Sequence, residues 1–315
     1  MLPELPTIKQ ILKLYGLRAQ KQLSQNFLLD AAITDRIVAC LPSPAANKCV
    51  IEVGAGPGGL TRSLLRANAR HVIAVEKDRR FLPVLQQLRD AVGPERLSIV
   101  HGDMLELDEA QLLGSETVTP WDAAEAPSVQ VIGNLPFGIA TELLLKWLRQ
   151  LPRREGVFRF GRVPFTLMFQ AEVAARIVAS PGTTTFGRLS VMTQQSCEAR
   201  SLLTVHGKSF VPPPLVDAAV VTLLPRVHAV PLQSQDALEL LLRDTFSLRR
   251  KMLRRAIVPL EARLGVHSLL AQCGINSTLR AQDLTVAEWC KFADLVHSIE
   301  TAKTKKDSTT SEAKA

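Results

Sequence analysis

Short apolar runs alternate with helix-like segments through the first half of the chain. Residues 60–67 and 78–91 carry apolar side chains at helical spacing. Four apolar runs are typical of strands, at residues 49–53, 71–76, 97–100 and 129–132. Strands that alternate with helices in this way form a parallel sheet covered on both faces, so the pattern predicts an α/β fold.

The pattern changes in the second half of the chain. Three further strands are predicted, at residues 164–169, 189–195 and 218–224. Beyond Pro225 only helical patterns remain. We therefore predict a first domain over residues 1–225, with a helix at 7–18, and a small helical domain over 226–300. Residues 301–315 are polar and are predicted to be disordered.

A glycine-rich segment follows the first predicted strand. Residues 51–59 have the sequence IEVGAGPGG, which fits the pattern G-x-G-x-x-G. Gly54 and Gly56 allow a sharp turn and a close approach to a ligand. Glu76 ends the second strand, where an acid can accept hydrogen bonds from two ribose hydroxyls. NAD, a flavin and S-adenosylmethionine all fit this pattern, as does a turn that binds nothing.

Two later strand ends carry further candidate chemistry. Asp103 follows the third strand and can accept a hydrogen bond from an adenine amine, or can cap a helix. The sequence GNLPF closes the fourth strand. The Asn134 side-chain oxygen and the Leu135 carbonyl, held rigid by Pro136, can accept the two N–H bonds of an exocyclic amine. Phe137 can stack on a base, although the same segment could be a simple turn with Phe137 in the core.

The charge of the chain points to a polyanionic partner. There are 38 Lys and Arg against 30 Asp and Glu, a net charge of +8, for which nucleic acid is the first expectation. Residues 243–255 form a basic block that is either an RNA-binding surface or a solvated helix. Its candidate RNA-binding residues, grouped by a predicted helix, are Arg249, Arg250, Lys251, Arg254 and Arg255. The arginines of residues 153–162 are a second, weaker candidate.

Other features limit the compartment and the cofactors. The five cysteines form no metal-ligand spacing, so we expect reduced thiols and no metal. No uncharged apolar run reaches the ~18 residues of a membrane span, so we expect no membrane segment. Residues 1–21 are basic and amphipathic, which fits either a mitochondrial presequence or an ordinary first helix.

These motifs resemble those of the ribosomal RNA adenine N6-dimethyltransferases over about residues 7–256. The matching segments are residues 22–28 (QLSQNFL), 52–58, 76–78, 102–104, 134–137, 169–174 and 210–217. The resemblance implies a Rossmann-like S-adenosylmethionine-dependent methyltransferase sheet with a small C-terminal helical domain. It assigns the cofactor to Gln25, Asn26, Leu28, Glu52, Gly54, Gly56, Glu76, Lys77, Asp103, Met104 and Asn134. The catalytic residues it implies are Asn134, Leu135, Pro136 and Phe137.

The resemblance also implies a substrate and a setting. Phe210 would flank the target base opposite Phe137. Residues 22–30 and the arginine-rich stretch most resemble mitochondrial members, which implies the mitochondrial matrix. The expected substrate is two adjacent adenines in the 3′-terminal hairpin loop of small-subunit (12S-type) rRNA, within an immature subunit. Ser24 and Phe137 depart from bacterial members, which usually have Gly and often Tyr there, yet Phe137 keeps a stacking face.

Alternatives to this function belong to other classes of protein. The chain could be a non-catalytic nucleic-acid-binding factor in mitochondrial transcription or ribosome assembly. It could also methylate DNA adenine or protein glutamine, but those enzymes usually carry two prolines after the Asn or Asp. The sequence has Leu135 and Pro136 there. We expect a monomeric RNA methyltransferase, with the transcription machinery as a further possible partner.

Overall fold

The computed structural model describes residues 5–20, 25–114 and 116–312, with side chains described as far as residue 304. The contacts divide the chain into two compact units. The first contains the residues up to 175 together with Cys197–Val227, and the second contains Arg176–Ser196 and the residues from 228 onward. The second unit therefore includes residues 176–196, which the sequence placed in the first domain.

A seven-stranded sheet forms the centre of the first unit. Its strands are β2 (Cys49–Val53), β3 (His71–Glu76), β4 (Leu97–His101), β5 (Val129–Gly133), β6 (Phe165–Gln170), β7 (Cys197–Val205) and β9 (Ala218–Pro225). They lie in the order β4-β3-β2-β5-β6-β9-β7. The first five are parallel, and β9 and β7 are antiparallel to their neighbours. This is the predicted α/β fold.

The first unit also contains a separate two-stranded sheet. It joins β1 (Phe27–Leu28) to β8 (Phe210–Val211), with Leu28 opposite Phe210. Both residues are buried, at 6% and 1% exposed. The pairing fastens the chain before the first large strand to the chain before the last one.

Helices link and cover the strands of the first unit. They are α1 (Ile8–Leu14), α2 (Ala31–Val38), α3 (Gly59–Arg66), α4 (Leu82–Val92), α5 (Glu109–Leu113) and α6 (Ala140–Gln150). Helix α1 begins with a capping box between Thr7 and Gln10, and its Ile8 and Ile11 are buried. The apolar face of the basic N-terminal segment therefore packs as an ordinary first helix.

The second unit is helical. After α7 (Ala171–Ile177), which crosses between the units, it contains α8 (Arg188–Ser196), α9 (Gln235–Ser247), α10 (Leu253–Ala256), α11 (Val258–Leu264), α12 (Leu269–Cys273) and α13 (Val286–Glu312). Around α13, the rings of Phe246 and Phe292 pack near Trp289, with centroids 5.5 and 6.3 Å away. This confirms the helical pattern predicted after Pro225.

The strand predicted at residues 189–195 is wrong, because the segment lies within helix α8. Most of this helix is buried, including Ser190, Val191 and Met192, so it shows no amphipathic period. Its polar side chains form hydrogen bonds to nearby carbonyls. For example, Gln194 Nε2 donates to the Ala179 carbonyl oxygen at 2.8 Å. A helix buried on most sides cannot be distinguished from a strand by periodicity alone.

The tail also differs from its prediction. Helix α13 continues to Glu312, so the backbone of most of the stretch predicted to be disordered is helical. Once a helix is established, each further residue closes another hydrogen bond, so the helix can continue through Ser and Thr even though these residues favour it less. Residues 313–315 lie outside the described part of the chain.

Gly133, at the end of β5, offers a test of how tightly the strand ends are packed. A Cβ there would lie 2.8 Å from the Leu135 side chain and 2.9 Å from the Val53 backbone oxygen. Gly133→Ala should therefore lower the free energy of unfolding by about 1–3 kcal/mol, because that backbone cannot move aside. Urea unfolding measures the change. Gly187→Ala, whose Cβ would meet nothing closer than 3.9 Å, is the control, and equal effects would contradict this packing.

Candidate functional site

A cavity of about 370 Å³ opens at the carboxyl ends of strands β2, β3, β4 and β5. This is the edge of an open α/β sheet at which ligands bind, and the volume suits a small molecule. All residues that the sequence assigned to the cofactor line the cavity: Gln25, Asn26, Leu28, Glu52, Gly54, Gly56, Glu76, Lys77, Asp103, Met104 and Asn134. Leu135, Pro136 and Phe137 line it as well.

The glycine loop between β2 and α3 has the backbone that its sequence predicts. Gly54 and Gly56 have φ values of +73° and +54°, in the region that favours glycine. A Cβ on Gly56 would lie 3.5 Å from the Phe27 ring. The backbone therefore passes close to the cavity without a side chain in the way.

Glu76 is fastened to this loop. Its Oε2 accepts a hydrogen bond from the Gly56 N–H at 2.7 Å, and its Oε1 accepts one from the Asp78 N–H at 2.7 Å. Burial raises the pKa of Glu76, although both backbone hydrogen bonds oppose that shift. Each carboxylate oxygen keeps a second lone pair, so the carboxylate can still accept bonds from ribose hydroxyls.

Glu52 is the least satisfied acid of the cavity wall. It is 1% exposed, and within the described residues its Oε2 has no hydrogen-bond partner. Burial, with the nearby Glu76 as a smaller cause, raises its pKa to about 8. An orphaned buried acceptor beside a cavity is a place where a ligand can supply a donor.

Asp103 has the capping role considered from the sequence, and its role toward an adenine amine stays a prediction. Its Oδ1 caps the next turn by accepting from the Leu105 N–H at 3.0 Å, and its Oδ2 accepts from Lys77 Nζ at 2.5 Å. Burial favours the neutral acid, but the hydrogen bond from Lys77 keeps the pKa of Asp103 below its usual value. Lys77 is 61% exposed and contacts Asp103, which assigns it to orienting that carboxylate.

The sequence did not reveal the side chains that hold the Asp103 loop. Lys146 on α6 donates to the Met104 carbonyl at 2.6 Å and to the Leu107 carbonyl at 2.7 Å. It also donates to the buried Glu109 carboxylate at 2.9 Å, which accepts from Trp147 Nε1 as well. No local motif joins residues this far apart in the chain, so only the fold identifies them.

Gln25 is held by a network that sequence reasoning also missed. Its Nε2 donates to Asp78 Oδ2 at 2.8 Å, and the same carboxylate forms an ion pair with Arg80 at 2.6 Å. Burial opposes ionisation, yet the bonds from Arg80 and Gln25 lower the pKa of Asp78. The rest of that first motif, Gln22, Leu23 and Ser24, lies outside the described residues.

The Asn134 side chain is oriented by the chain before β1. Its Nδ2 donates to the Asn26 carbonyl at 3.2 Å. Because that partner can only accept, the assignment of nitrogen and oxygen in the amide follows from the contact. Oδ1 is therefore the group of Asn134 that can accept a hydrogen bond from a substrate amine.

Phe137 and Phe210 come together, but their geometry differs from a pair of parallel plates. The ring centroids are 6.4 Å apart and the ring planes meet at 64°. Phe210 is 1% exposed and does not line the cavity, whereas Phe137 is half-buried and does. The role of Phe210 opposite Phe137 remains a prediction. It requires the two rings to reorient before a base can lie between them.

The basic block is not the continuous helix that was predicted. A turn and bend separate α9 from the four-residue helix α10. Arg249 is partly buried and binds the Thr184 and Phe186 carbonyls and Gln282 Oε1. It therefore stabilises the second unit, and its role in RNA binding stays a prediction. The other four residues are exposed: Arg250, Lys251, Arg254 and Arg255.

The arginine-rich stretch is partly structural too. Arg162 donates to the carbonyls of Trp121, Ala123 and Pro225, and Arg154 lies 4.9 Å from the centroid of the Trp121 ring.

Among the residues that the structure describes, no helix is long and apolar enough to cross a membrane. The same residues contain no group of His, Cys, Asp and Glu arranged to hold a metal ion.

Comparison with known proteins decides the family. The model of the family described as ribosomal RNA adenine dimethylase matches residues 16–298. The chain belongs to this family. The family is one of methyltransferases, so the protein is a methyltransferase, and the α/β fold fits this membership.

Relatives agree along nearly the whole chain. It is 44% identical to "Dimethyladenosine transferase 1, mitochondrial" of Vermamoeba vermiformis, over 93% of this chain and 94% of the relative. It is 42% identical to the Homo sapiens protein of the same name, over 93% and 85%. The crystal structure of a Plasmodium falciparum dimethyladenosine transferase has the same fold, with a TM-score of 0.65, 24% identity and coverage of 84% and 94%.

The buried Glu52 leads to a prediction on stability and pH. In the folded protein the pKa of Glu52 is about 8, above the ordinary value of 4.5. Between these two pH values the folded state therefore holds a proton that unfolding releases. The contribution of Glu52 to the free energy of unfolding should therefore be largest below pH ~4.5, and it should fall as the pH rises toward ~8. Glu52→Gln should flatten this part of the profile and raise the stability at pH 8.

Chemical denaturation between pH 5 and 9 measures the effect. Glu125→Gln, at an exposed position, is the matched control and should leave the profile unchanged. A Glu52→Gln profile that runs parallel to that of the unmodified protein would show that Glu52 ionises normally.

Proposed function

We propose that this protein uses S-adenosylmethionine to dimethylate N6 of two adjacent adenines in the 3′-terminal hairpin loop of mitochondrial small-subunit rRNA. Membership of the family and the names of its mitochondrial relatives support this proposal. The observation that carries it is the Asn134 amide, which the Asn26 carbonyl orients at the wall of the cavity. The setting we propose is the mitochondrial matrix.

The residues of the cavity suit this cofactor. Glu52 has an orphaned buried oxygen, and an ammonium group beside it would lower its raised pKa and bind the ionised carboxylate. Glu76 and Asp103 offer acceptors at successive strand ends for ribose hydroxyls and an adenine amine. When bound, S-adenosylmethionine supplies an activated sulfonium methyl group.

The chain's own task is to hold the target amine. The lone pair of adenine N6 is delocalised into the ring, which makes the nitrogen a weak nucleophile. Asn134 Oδ1 and the Leu135 carbonyl can accept its two N–H bonds and so favour a tetrahedral nitrogen. Leu135 is 2% exposed, so its backbone is held firmly in place at the wall of the cavity. The sulfonium methyl is already activated, so no strong base is needed: the methylated nitrogen becomes acidic and releases its proton to water after the transfer, and the main task is positioning.

The RNA itself requires a separate surface. Arg250, Lys251, Arg254 and Arg255 are exposed on the second unit and can neutralise phosphates. They would serve equally well in a nucleic-acid-binding factor of mitochondrial transcription or ribosome assembly. A transfer reaction that depends on Asn134 distinguishes the enzyme from such a factor.

The direct test is incubation of the purified protein with immature small subunits and labelled S-adenosylmethionine. The modified bases are then mapped by mass spectrometry. We expect label on two adjacent adenines as dimethyladenosine. Label on any other base, or no label with subunits that bind the protein, would contradict the proposal.

The two transfers at one nitrogen should depend differently on Asn134. Unmethylated adenine offers two N–H bonds, but monomethyladenine offers only one, so one acceptor is already without its partner. Asn134→Ala should therefore slow the first transfer more than the second. The first transfer should become about 5- to 150-fold slower, which corresponds to the loss of a hydrogen bond of about 1–3 kcal/mol. Single-turnover kinetics on unmodified and premethylated RNA separates the steps.

Phe137→Ala is the comparison for this experiment. Stacking does not depend on N6 methylation, so this variant should slow both steps about equally. If Asn134→Ala slows both transfers by the same factor, the proposed division between the two acceptors is wrong.

The exposed basic residues should set the salt dependence of RNA binding. Changing Arg254 and Arg255 to Gln should reduce the magnitude of the slope of log K against log salt by about 0.7–0.9 for each phosphate that is no longer neutralised. Titrations at several salt concentrations measure this. Lys9 and Lys13, two exposed residues of α1, provide a control pair of equal charge. The same slope for both pairs would mean that Arg254 and Arg255 are solvated surface residues.

A further inference from the structure

A short loop after Phe210 exposes apolar side chains. Leu215 is 105% exposed, and Val211 and Val216 are 46% and 44% exposed. A single exposed leucine on a protein surface is ordinary. Three exposed large apolar residues within six positions are less usual, because water does not favour their exposure.

The loop is rigid and is fastened at its base. Pro212, Pro213 and Pro214 restrict its backbone. At its end, Asp217 Oδ1 accepts from the Gly207 N–H at 2.8 Å, and the Asp217 carbonyl accepts from the Ala171 N–H at 2.9 Å. A Cβ on Gly207 would lie 3.0 Å from the Pro214 oxygen, so the loop folds back against the chain that precedes Phe210.

The loop begins at the site where the target base is expected. Phe210 pairs with Leu28, which lines the cavity, and its ring centroid lies 6.4 Å from that of Phe137. Leu215 follows five residues later on a stiff connection. The loop ends at the carboxyl end of β6, where the Asp217 carbonyl accepts from the Ala171 N–H, so it lies at the same edge of the sheet as the candidate site.

We propose that Leu215 is a wedge that contacts the RNA bases next to the flipped target adenine. This inference rests on the proposed function. An adenine can reach a buried acceptor only by leaving its stack, and its neighbours are then left without a stacking partner. Apolar side chains placed against base steps fill such gaps in other nucleic-acid complexes. A preorganised loop adds little entropy cost to this contact.

Truncation of Leu215 makes a clean test, because a fully exposed side chain contributes no packing to the free protein. Leu215→Ala should lower the single-turnover methylation rate on a hairpin RNA by about 10- to 100-fold. The variant should also reduce the rise in fluorescence that occurs when the protein binds a hairpin with 2-aminopurine at the target position, since this rise reports that the base has left its stack. Leu215→Met, which keeps an apolar side chain, should restore most of both signals.

Two controls identify the wedge. Leu202→Ala truncates another exposed leucine, on edge strand β7, and should behave as the unmodified protein. A hairpin with an abasic nucleotide beside the target has no neighbouring stack to break. On this RNA the Leu215→Ala variant and the unmodified protein should methylate at similar rates.

Each outcome has one meaning. If the unmodified protein methylates neither these hairpins nor immature small subunits that bind it, the proposed function fails and the wedge fails with it. If it methylates the hairpin and Leu215→Ala does so at the same rate, the wedge alone is overturned, and the loop is left as a surface for a protein partner. An equal decrease on the intact and abasic hairpins also overturns it, because the contact would then not depend on stacking.

Discussion

The site depends on the position of strand β2 within the sheet. The chain leaves β2 toward β3 on one side, and it leaves the neighbouring strand β5 toward β6 on the other side, so the connections after these two strands run in opposite directions. The ends of the central parallel strands must then surround a crevice that no helix covers. The glycine loop, Glu76, Asp103 and Asn134 lie there because each follows one of these strands. Their convergence is a property of the topology rather than of any one motif.

The acids of the crevice determine what it can hold. The carboxylates of Asp78 and Asp103 are paired with Arg80 and Lys77, whereas Glu52 and Glu76 form no ion pair with a basic side chain among the residues that the structure describes. Glu52 holds a proton near neutral pH, and a positively charged ligand would lower its pKa and stabilise the ionised form, so such a ligand is favoured. A pyrophosphate beside the glycine loop would instead face these two acids and is disfavoured. S-adenosylmethionine carries an ammonium and a sulfonium, whereas NAD carries two phosphates. The electrostatics thus separates two cofactors that the glycine pattern alone could not.

Much of this fold and site could be predicted from the sequence, for definite physical reasons. Strands buried on both faces, such as Cys49–Val53, appear as continuous apolar runs. Functional residues at their ends can then be located by counting along the chain. Helix α8 could not be recognised, because its burial on most sides removes the helical period of apolar and polar residues. Strand β7 could not be recognised either, because one edge and much of its surface are exposed.

Interactions between distant residues were also beyond the sequence. Nothing local distinguishes Arg249, which binds protein carbonyls, from the exposed Arg250 beside it. Lys146 supports the loop of Asp103 from another helix, and it became visible only when the fold brought the two segments together. Positioning residues of this kind carry no motif, since their role is defined by the carbonyls that surround them.

The charges of the crevice suit a cationic methyl donor above any other cofactor considered for the glycine loop. Isothermal titration calorimetry of the purified protein tests this most directly, with S-adenosylmethionine, its product S-adenosylhomocysteine and NAD as ligands. We expect one binding site per chain for the first two ligands and no measurable heat of binding for NAD. Binding of NAD at this site, or no binding of S-adenosylmethionine by the folded protein, would contradict it.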